Sequence, residues 1–397
     1  MKKLKILHTV EFYYPSIGGA QEVVRHLSER MVQQGHDVTV ATSYIKDRDF
    51  TEYNGVKIVD FKITGNAVNG LRGEKKKYQD FLKNSDFDVV MNYAAQQWTA
   101  DAFFEVIDDV SAKKVFVPCG YSALYDPNYE DYFTKLPETL KKYDATVYLA
   151  DHYRDIDFAR EHKLKNIKVI PNGADENEFT ERISEEAKKL LKNRYGVGGL
   201  VLMTTGNYTG EKGHRELLSL FKRLPVSHAT LVSAGTLKPH DGCFDWFVDE
   251  AWKINQSRKF PGKRVVMLDG TDRETVKNFM KAADIFVFLS NIECSPLVLF
   301  EAAAAGTPFL TSEAGNSAEI AQWTGAGIVV KSHARPNGRV TVDSKDALWK
   351  LTKLAHQPAR RVELGETGHK TWKKKYTWDK LTDTYLSLYQ DLTKKRK

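Results

Sequence analysis

The chain has 397 residues, 42% hydrophobic and 28% charged, too long for one ordinary core and suited to two domains of roughly 150–200 residues. Its mean hydropathy is −0.46, and no stretch approaches the ~18 uninterrupted apolar residues of a membrane span, which argues against disordered, collagen-like and integral-membrane classes. The net charge of +7 is local: nine Lys/Arg against three Asp in residues 368–397 supply six of those charges, so a broad nucleic-acid-binding face is not indicated.

Residues 1–10 carry two lysines at the start, and Lys5 and His8 break the apolar run. The segment reads as a first β-strand over 5–10 rather than a secretory signal. A turn-rich Pro15-Ser16-Ile17-Gly18-Gly19 follows. Val23, Val24, Leu27 and Met31 then recur at helical spacing, Gly35 stops the helix, and 38–41 is the next strand. This opening is a βαβ unit with parallel, buried strands. Strands are predicted again at 56–61, 89–93, 114–118, 146–150 and 167–170. A second series falls at 200–205, 229–234, 264–268, 285–290, 309–312 and 328–330. The charged, helix-prone stretch 181–194 and Gly196-Val197-Gly198-Gly199 separate the two series. The expected division is therefore 1–180, a linker 181–199, 200–371, and a closing segment 372–397. Three scattered cysteines (Cys119, Cys243, Cys294) form no CxxC and imply neither a disulfide framework nor a zinc site; a reducing cytosol is the expected location.

The strongest local signal is Glu293-Cys294-Ser295-Pro296-Leu297-Val298-Leu299-Phe300-Glu301, which runs from the end of a buried strand into a helix. Anions there suit charge-assisted hydrogen bonds to hydroxyls, and Pro296 in the first turn would leave backbone N–H groups open to an anion. The same spacing also fits an amphipathic helix with two solvated glutamates. Gly206-Asn207-Tyr208-Thr209-Gly210-Glu211-Lys212-Gly213 follows the first strand of the second series and sets a cation, Lys212, in a glycine-rich loop; alone, it is also an ordinary surface turn. Gly18-Gly19 lets a backbone approach a phosphate or sugar. It is not GxGxxG, however, and Thr42 and Ser43 stand where a nicotinamide enzyme would place an acid. Asn92, Tyr93, Gln97 and Trp98 follow another strand and offer polar groups at its carboxyl end. Tyr121, Tyr125, Tyr129 and Phe133 recur every four residues, as a packed stripe or an aromatic platform.

Taken together, these residues resemble the retaining glycosyltransferases of family 4. The resemblance runs over nearly the whole length through Gly18-Gly19-Ala20, Ile170-Pro171-Asn172-Gly173-Ala174-Asp175, Gly206 with Lys212-Gly213, the Glu293/Glu301 pair, Gly306-Thr307-Pro308 and Trp378. It implies the α/β GT-B fold: two Rossmann-like parallel-sheet domains facing a central cleft, with a C-terminal helix crossing back to the first. It also implies that Glu301 binds the ribose and that Glu293 orients the donor sugar. Lys212, Asn207 and Ser295 would meet the diphosphate, with Gly206, Pro296, Leu297 and Thr271 lining the donor site and Gly18 and Gly19 closing it. The Asp269-Gly270-Thr271 loop is the expected place of base recognition. Cys119, Tyr121, Asn92, Trp98 and Asn172 are expected on the acceptor side.

Two positions depart from the family pattern. Asn207 stands where an arginine is usual and brings no charge. Cys119 stands where many relatives carry a histidine, and an unperturbed thiol near pKa 8.5 is no routine proton acceptor. Front-face attack, in which the departing phosphate takes the acceptor's proton, tolerates that loss.

The expected activity is metal-independent, retaining transfer of a sugar from a UDP- or GDP-sugar to a hydroxyl of a glycan or lipid-linked acceptor, with no cofactor beyond that co-substrate. The alternative is a catalytically silent partner subunit in a glycan-assembly complex. Of the two DxD triplets, Asp47–Asp49 and Asp155–Asp157, neither is expected to hold a metal. The basic run Arg72, Lys75, Lys76 and Lys77, together with residues 394–397, suggests peripheral contact with the inner face of the cell membrane.

Overall fold

In the computed structural model, residues 3–235 and 242–394 are described. The chain divides into two compact units, 1–172 with 378–397, and 173–377.

The first unit is built on an eight-stranded sheet. Its order is Ile167–Val169, Ala145–Tyr148, Lys113–Val117, Val89–Tyr93, Lys5–Thr9, Asp37–Ser43, Val56–Phe61 and Glu52–Tyr53. All pairs are parallel except the edge strand Glu52–Tyr53, which is joined to its neighbour by a tight turn. Parallel strands covered on both faces read as continuous apolar runs rather than alternating ones, and Val89–Tyr93 is buried at every position. Helix Gly19–Gln33 makes the first crossover, with Val23, Val24, Leu27 and Met31 inward.

The second unit has a six-stranded parallel sheet in the order Lys263–Asp269, Ala229–Gly235, Leu200–Thr205, Ile285–Phe288, Phe309–Thr311 and Gly327–Val329. Helix Leu297–Ala305 sits in the middle of its core. Ala302 to Ala305 are buried, and no larger side chain keeps neighbours away. The order changes direction beside Leu200–Thr205. In open α/β sheets, ligands bind outside the carboxyl ends of strands at such a switch point.

The boundaries differ from those expected. Residues 181–199 are not a linker. Ser184 Oγ accepts from Ala187 N at 3.1 Å to start helix Glu185–Tyr195, and Gly196, at φ 61°, ends it. Leu191 and Tyr195 pack on the second core, with the Tyr195 ring edge-on to Phe279 at 5.1 Å. The chain instead changes unit at Asn172/Gly173. The return is likewise later than residue 372: Trp372 is buried in the second unit and donates from Nε1 to Ala174 O at 3.1 Å. Only from Trp378 does the chain belong to the first unit. There Trp378 stacks on His26 at 5.2 Å, Asp379 accepts from Arg30 Nε at 3.0 Å, and Tyr389 OH lies 3.2 Å from His8 Nε2. Residues 395–397 of the expected basic tail lie outside the described residues.

Candidate functional site

The second unit positions its charged side chains through glycines. Gly213 has φ 70°, and a Cβ there would lie 1.9 Å from Leu289 O. Only glycine lets the loop after Leu200–Thr205 touch the end of strand Ile285–Phe288. Two further bonds lock the approach: Asn291 N donates to Glu211 O at 2.7 Å, and Ser290 Oγ to the same oxygen at 3.1 Å. Lys212 is thereby placed against Glu293, Nζ to Oε1 at 2.6 Å. At Gly206, φ is 150°, and a Cβ would sit 3.3 Å from Lys212 Cγ. Gly315 does the same service behind Glu293: a Cβ would come within 2.4 Å of Cys294 O, and the next residue, Asn316, donates from N to that oxygen at 2.9 Å. The Lys212 and Glu293 side chains are 29% and 11% exposed, so this ion pair is partly withdrawn from water and less screened than a surface pair.

Helix Leu297–Ala305 starts at Pro296 with no side-chain cap and ends at Gly306, φ 74°. No side chain caps its first N–H groups, of which Leu299 N donates to Pro296 O at 3.3 Å. Glu301, one turn further, meets a residue that sequence reasoning missed. Arg273, the first residue of helix Arg273–Ala282, donates from Nη2 to Glu301 Oε1 at 2.5 Å and to Glu178 Oε2 at 2.6 Å. Burial alone would lower the pKa of this guanidinium; Glu301 and Glu178 more than reverse that, and it is raised. Thr271, two residues before Arg273, is half-buried. Asn207 is half-buried beside Tyr208, whose hydroxyl lies 2.9 Å from Ser233 Oγ.

The first unit places several predicted residues elsewhere than expected. Asn92 is fully buried, donates from Nδ2 to Thr9 Oγ1 at 2.9 Å and accepts from Tyr143 OH at 2.7 Å. Trp98 is fully buried with Nε1 donating to Ser43 Oγ at 2.8 Å, and Tyr121 is fully buried against Phe133 and Phe158. These three are core residues. Their hydrogen-bonding and ring partners lie inside the unit, so the acceptor roles expected for them are withdrawn. Asn172 is also buried. The aromatic series is not one face: Tyr121 and Phe133 are interior, Tyr125 is 51% exposed, and a short 3-10 turn Pro127–Tyr129 interrupts it.

Cys119 stays half-buried and stands in the left-handed region, φ 53°, followed by Gly120 at 93°. Ala94 and Gln96, after the neighbouring strand, are also left-handed at 72° and 61°. Three non-glycine residues held there mark a backbone that the surrounding structure over-determines. Asp155 is part of that restraint: its carboxylate accepts from Gly120 N at 2.7 Å and from Tyr121 N at 2.8 Å. Burial raises its pKa to about 6, against the pull of those two N–H donors. Asp155 thus holds backbone in place, whereas Asp157 of the same triplet is exposed, as are Asp47 and Asp49 around the buried Arg48. Among the described residues no group of three or more His, Cys, Asp or Glu could hold a metal ion.

Gly18 is extended at φ −177°, a conformation open to any residue, and Gly19 has nothing within 4 Å of where a Cβ would be. Gly19 thus leaves open space at the start of helix Gly19–Gln33, whereas a Cβ at Gly18 would meet Gln21 Oε1 at 2.6 Å. The basic run is half neutralised: Lys75 pairs with Glu105 at 3.0 Å and Lys77 with Glu74 at 3.3 Å. No helix among the described residues is long and apolar enough to cross a membrane.

Two family models match the chain: one described as glycosyl transferases group 1 over residues 188–371, the other as glycosyltransferase family 4 over 17–178. The GPI3 subunit of phosphatidylinositol N-acetylglucosaminyltransferase from Saccharomyces cerevisiae is 23% identical over 323 residues, covering 78% of this chain and 68% of that protein. Among solved structures, sucrose-phosphate synthase from Thermosynechococcus elongatus superposes with a TM-score of 0.76 at 15% identity, covering 98% of this chain and 99% of the other. Anabaena HepE in complex with UDP and glucose gives 0.74 at 14% identity over 98% and 100%. The fold they share with this chain is GT-B, with a Rossmann-like sheet in each unit.

Proposed function

Because the chain belongs to glycosyltransferase family 4, we propose that this glycosyltransferase takes a sugar from a UDP- or GDP-sugar and transfers it, with retention and without a metal, to a hydroxyl of a glycan or lipid-linked acceptor. The observation that carries this reading is the Lys212–Glu293 pair at 2.6 Å, set at the carboxyl ends of two adjacent strands with Glu301 one helix turn beyond. A lysine held by a single carboxylate is a cation that a diphosphate can recruit, because the diphosphate offers more negative charge than Glu293 does. Lys212 then meets charge as it builds on the leaving group. Glu293, released from the lysine, accepts from donor-sugar hydroxyls, and Glu301 accepts from the ribose. The open N-terminus of helix Leu297–Ala305 and the side chains of Ser295 and Asn207 add donors to the phosphate oxygens.

The names of the relatives support this reading. HepE was solved with UDP and glucose, and the yeast protein is named for transfer to phosphatidylinositol. On the acceptor side, the candidates are the half-buried Cys119 and the Gly18-Gly19 turn, which is open at Gly19. With no histidine at Cys119, the proton of the acceptor hydroxyl passes to the departing phosphate oxygen as the glycosidic bond forms on the same face. Arg72 and Lys76, the cations of the basic run without an ion pair among the described residues, are the proposed contacts to anionic lipid at the cytoplasmic face of the membrane.

The test is incubation with UDP- and GDP-sugars and an acceptor panel in the presence of EDTA. The expected result is acceptor-dependent release of nucleoside diphosphate and a product whose anomeric proton coupling matches the donor's configuration. Inversion would overturn the retaining assignment, and abolition by EDTA the metal-independent one. Binding of no nucleotide would favour the silent partner subunit.

A further inference from the structure

Three elements of the second unit meet at one guanidinium. Arg273 opens helix Arg273–Ala282, Glu178 lies in the short helix Glu176–Phe179, and Glu301 lies in helix Leu297–Ala305. Toward Glu178 the contact is a fork: Nε to Oε1 at 3.2 Å and Nη2 to Oε2 at 2.6 Å. Two parallel bonds to a planar carboxylate hold a long, otherwise flexible side chain in one orientation. Toward Glu301 the same guanidinium gives Nη2 to Oε1 at 2.5 Å, with Nη1 3.5 Å from Oε2. Glu301 is therefore held on one edge by an arginine that is itself held.

A carboxylate offers about four lone-pair directions. Those on the side toward Arg273 are occupied, and the Glu301 side chain remains 15% exposed, so the rest stay open to a ligand in a fixed direction. Vicinal hydroxyls on adjacent carbons need two acceptor positions at once, which a freely rotating carboxylate presents only part of the time. Resting on the reading that Glu301 holds the donor ribose, we infer that Arg273, held by Glu178, is the positioning residue that aims Glu301 at the 2′ and 3′ hydroxyls, and so sets the preference for ribonucleotides over dideoxyribonucleotides. The opposite role for the same contact is a plug, in which Arg273 competes with the ribose for Glu301; the two roles predict changes of opposite sign.

Titration calorimetry on the full chain separates them. A thermal-shift screen of UDP, GDP and ADP first selects the nucleotide that stabilises the wild type most. That nucleotide and its 2′,3′-dideoxy analogue are then titrated into wild type, Arg273→Gln, Arg273→Lys and Glu178→Gln. The wild type is expected to prefer the ribonucleotide by at least about 100-fold, since the analogue leaves a charged acceptor without its two hydroxyl donors. Arg273→Gln should lower that ratio about tenfold, with dideoxy affinity unchanged within about twofold; Glu178→Gln should lower it less, and Arg273→Lys should recover part of it. Melts without nucleotide identify any variant that fails to fold, and the remaining two carry the comparison. An unchanged ratio, or tighter ribonucleotide binding by Arg273→Gln, overturns the positioning role. A wild type that does not discriminate, or binds none of the three, overturns the ribose reading of Glu301 on which it rests.

Discussion

The strand-end loops of the two units are built in different ways. In the second unit, glycines at left-handed positions (Gly213, Gly315) let loops pack closely and bring Lys212 onto Glu293, while on the neighbouring helices Arg273 meets Glu178 and Glu301 in direct ion pairs. In the first unit, the polar side chains after the strands turn inward: Asn92 and Trp98 are fully buried and hydrogen-bonded within the core. Beside them the backbone is held left-handed at the buried Ala94 and at the half-buried Gln96 and Cys119, with a buried carboxylate clamping the last. One region keeps its chemistry in side chains and the other in main-chain shape. On the proposed function, this corresponds to a donor site read by charge and an acceptor site shaped by the fold.

Breaking the charged region should have the larger effect. Lys212→Ala and Glu301→Ala are each expected to lower kcat/KM for transfer by about 100- to 1000-fold, the range for removing one preorganised electrostatic group, with melting temperatures close to wild type. Near-normal rates in both would sink the donor-site assignment.

The first unit should answer in stability before it answers in rate. Asp155→Ala leaves the N–H groups of Gly120 and Tyr121 without their acceptor in a buried place, at about 2–4 kcal/mol of unfolding free energy. Asp155→Asn, which keeps one carbonyl oxygen, should cost less. Urea denaturation measures both, and equal, negligible losses would show that the clamp does not matter.

A smaller, pH-dependent effect sharpens the contrast further. Burial pushes His8 down to about 3 from 6.5, so its contribution is fully present above pH 6.5 and is lost as pH falls toward 3, because the unfolded chain takes up the proton first. Asp101 and Asp155 are raised by burial to about 6 from 3.8, and their contribution runs the other way, being lost as pH rises from 3.8 through 6. His8→Asn should therefore flatten the loss of stability between pH 6.5 and 4. A slope unchanged from wild type would show that His8 titrates normally.

Much of this architecture was legible from periodicity. Buried parallel strands announce themselves as short apolar runs, and 56–61, 89–93 and 200–205 fall within the same bounds in the structure. The segment from Glu293 to Glu301 was legible because strand, turn and helix lie within nine residues. Arg273 and Glu178 were not, since they meet across 95 positions of sequence and carry no local pattern. The burial of Asn92 and Trp98 was hidden for a related reason: Thr9 and Ser43, the groups that satisfy them, lie 83 and 55 residues away. The misplaced linker has another cause. Its helix is mostly charged, and only Leu191 and Tyr195 pack on the second core.

The return of Trp378–Lys394 to the first unit has a consequence for synthesis. His8 in the first strand waits for Tyr389, 381 residues later, and Arg30 waits for Asp379. A ribosome that has released the entire second unit has still not released the helix that covers His8, His26 and Arg30. Until it does, the nascent first unit presents that unfinished face to chaperones and proteases. Premature termination anywhere between 173 and 377 should then yield a product marked for removal, however well its remaining parts fold.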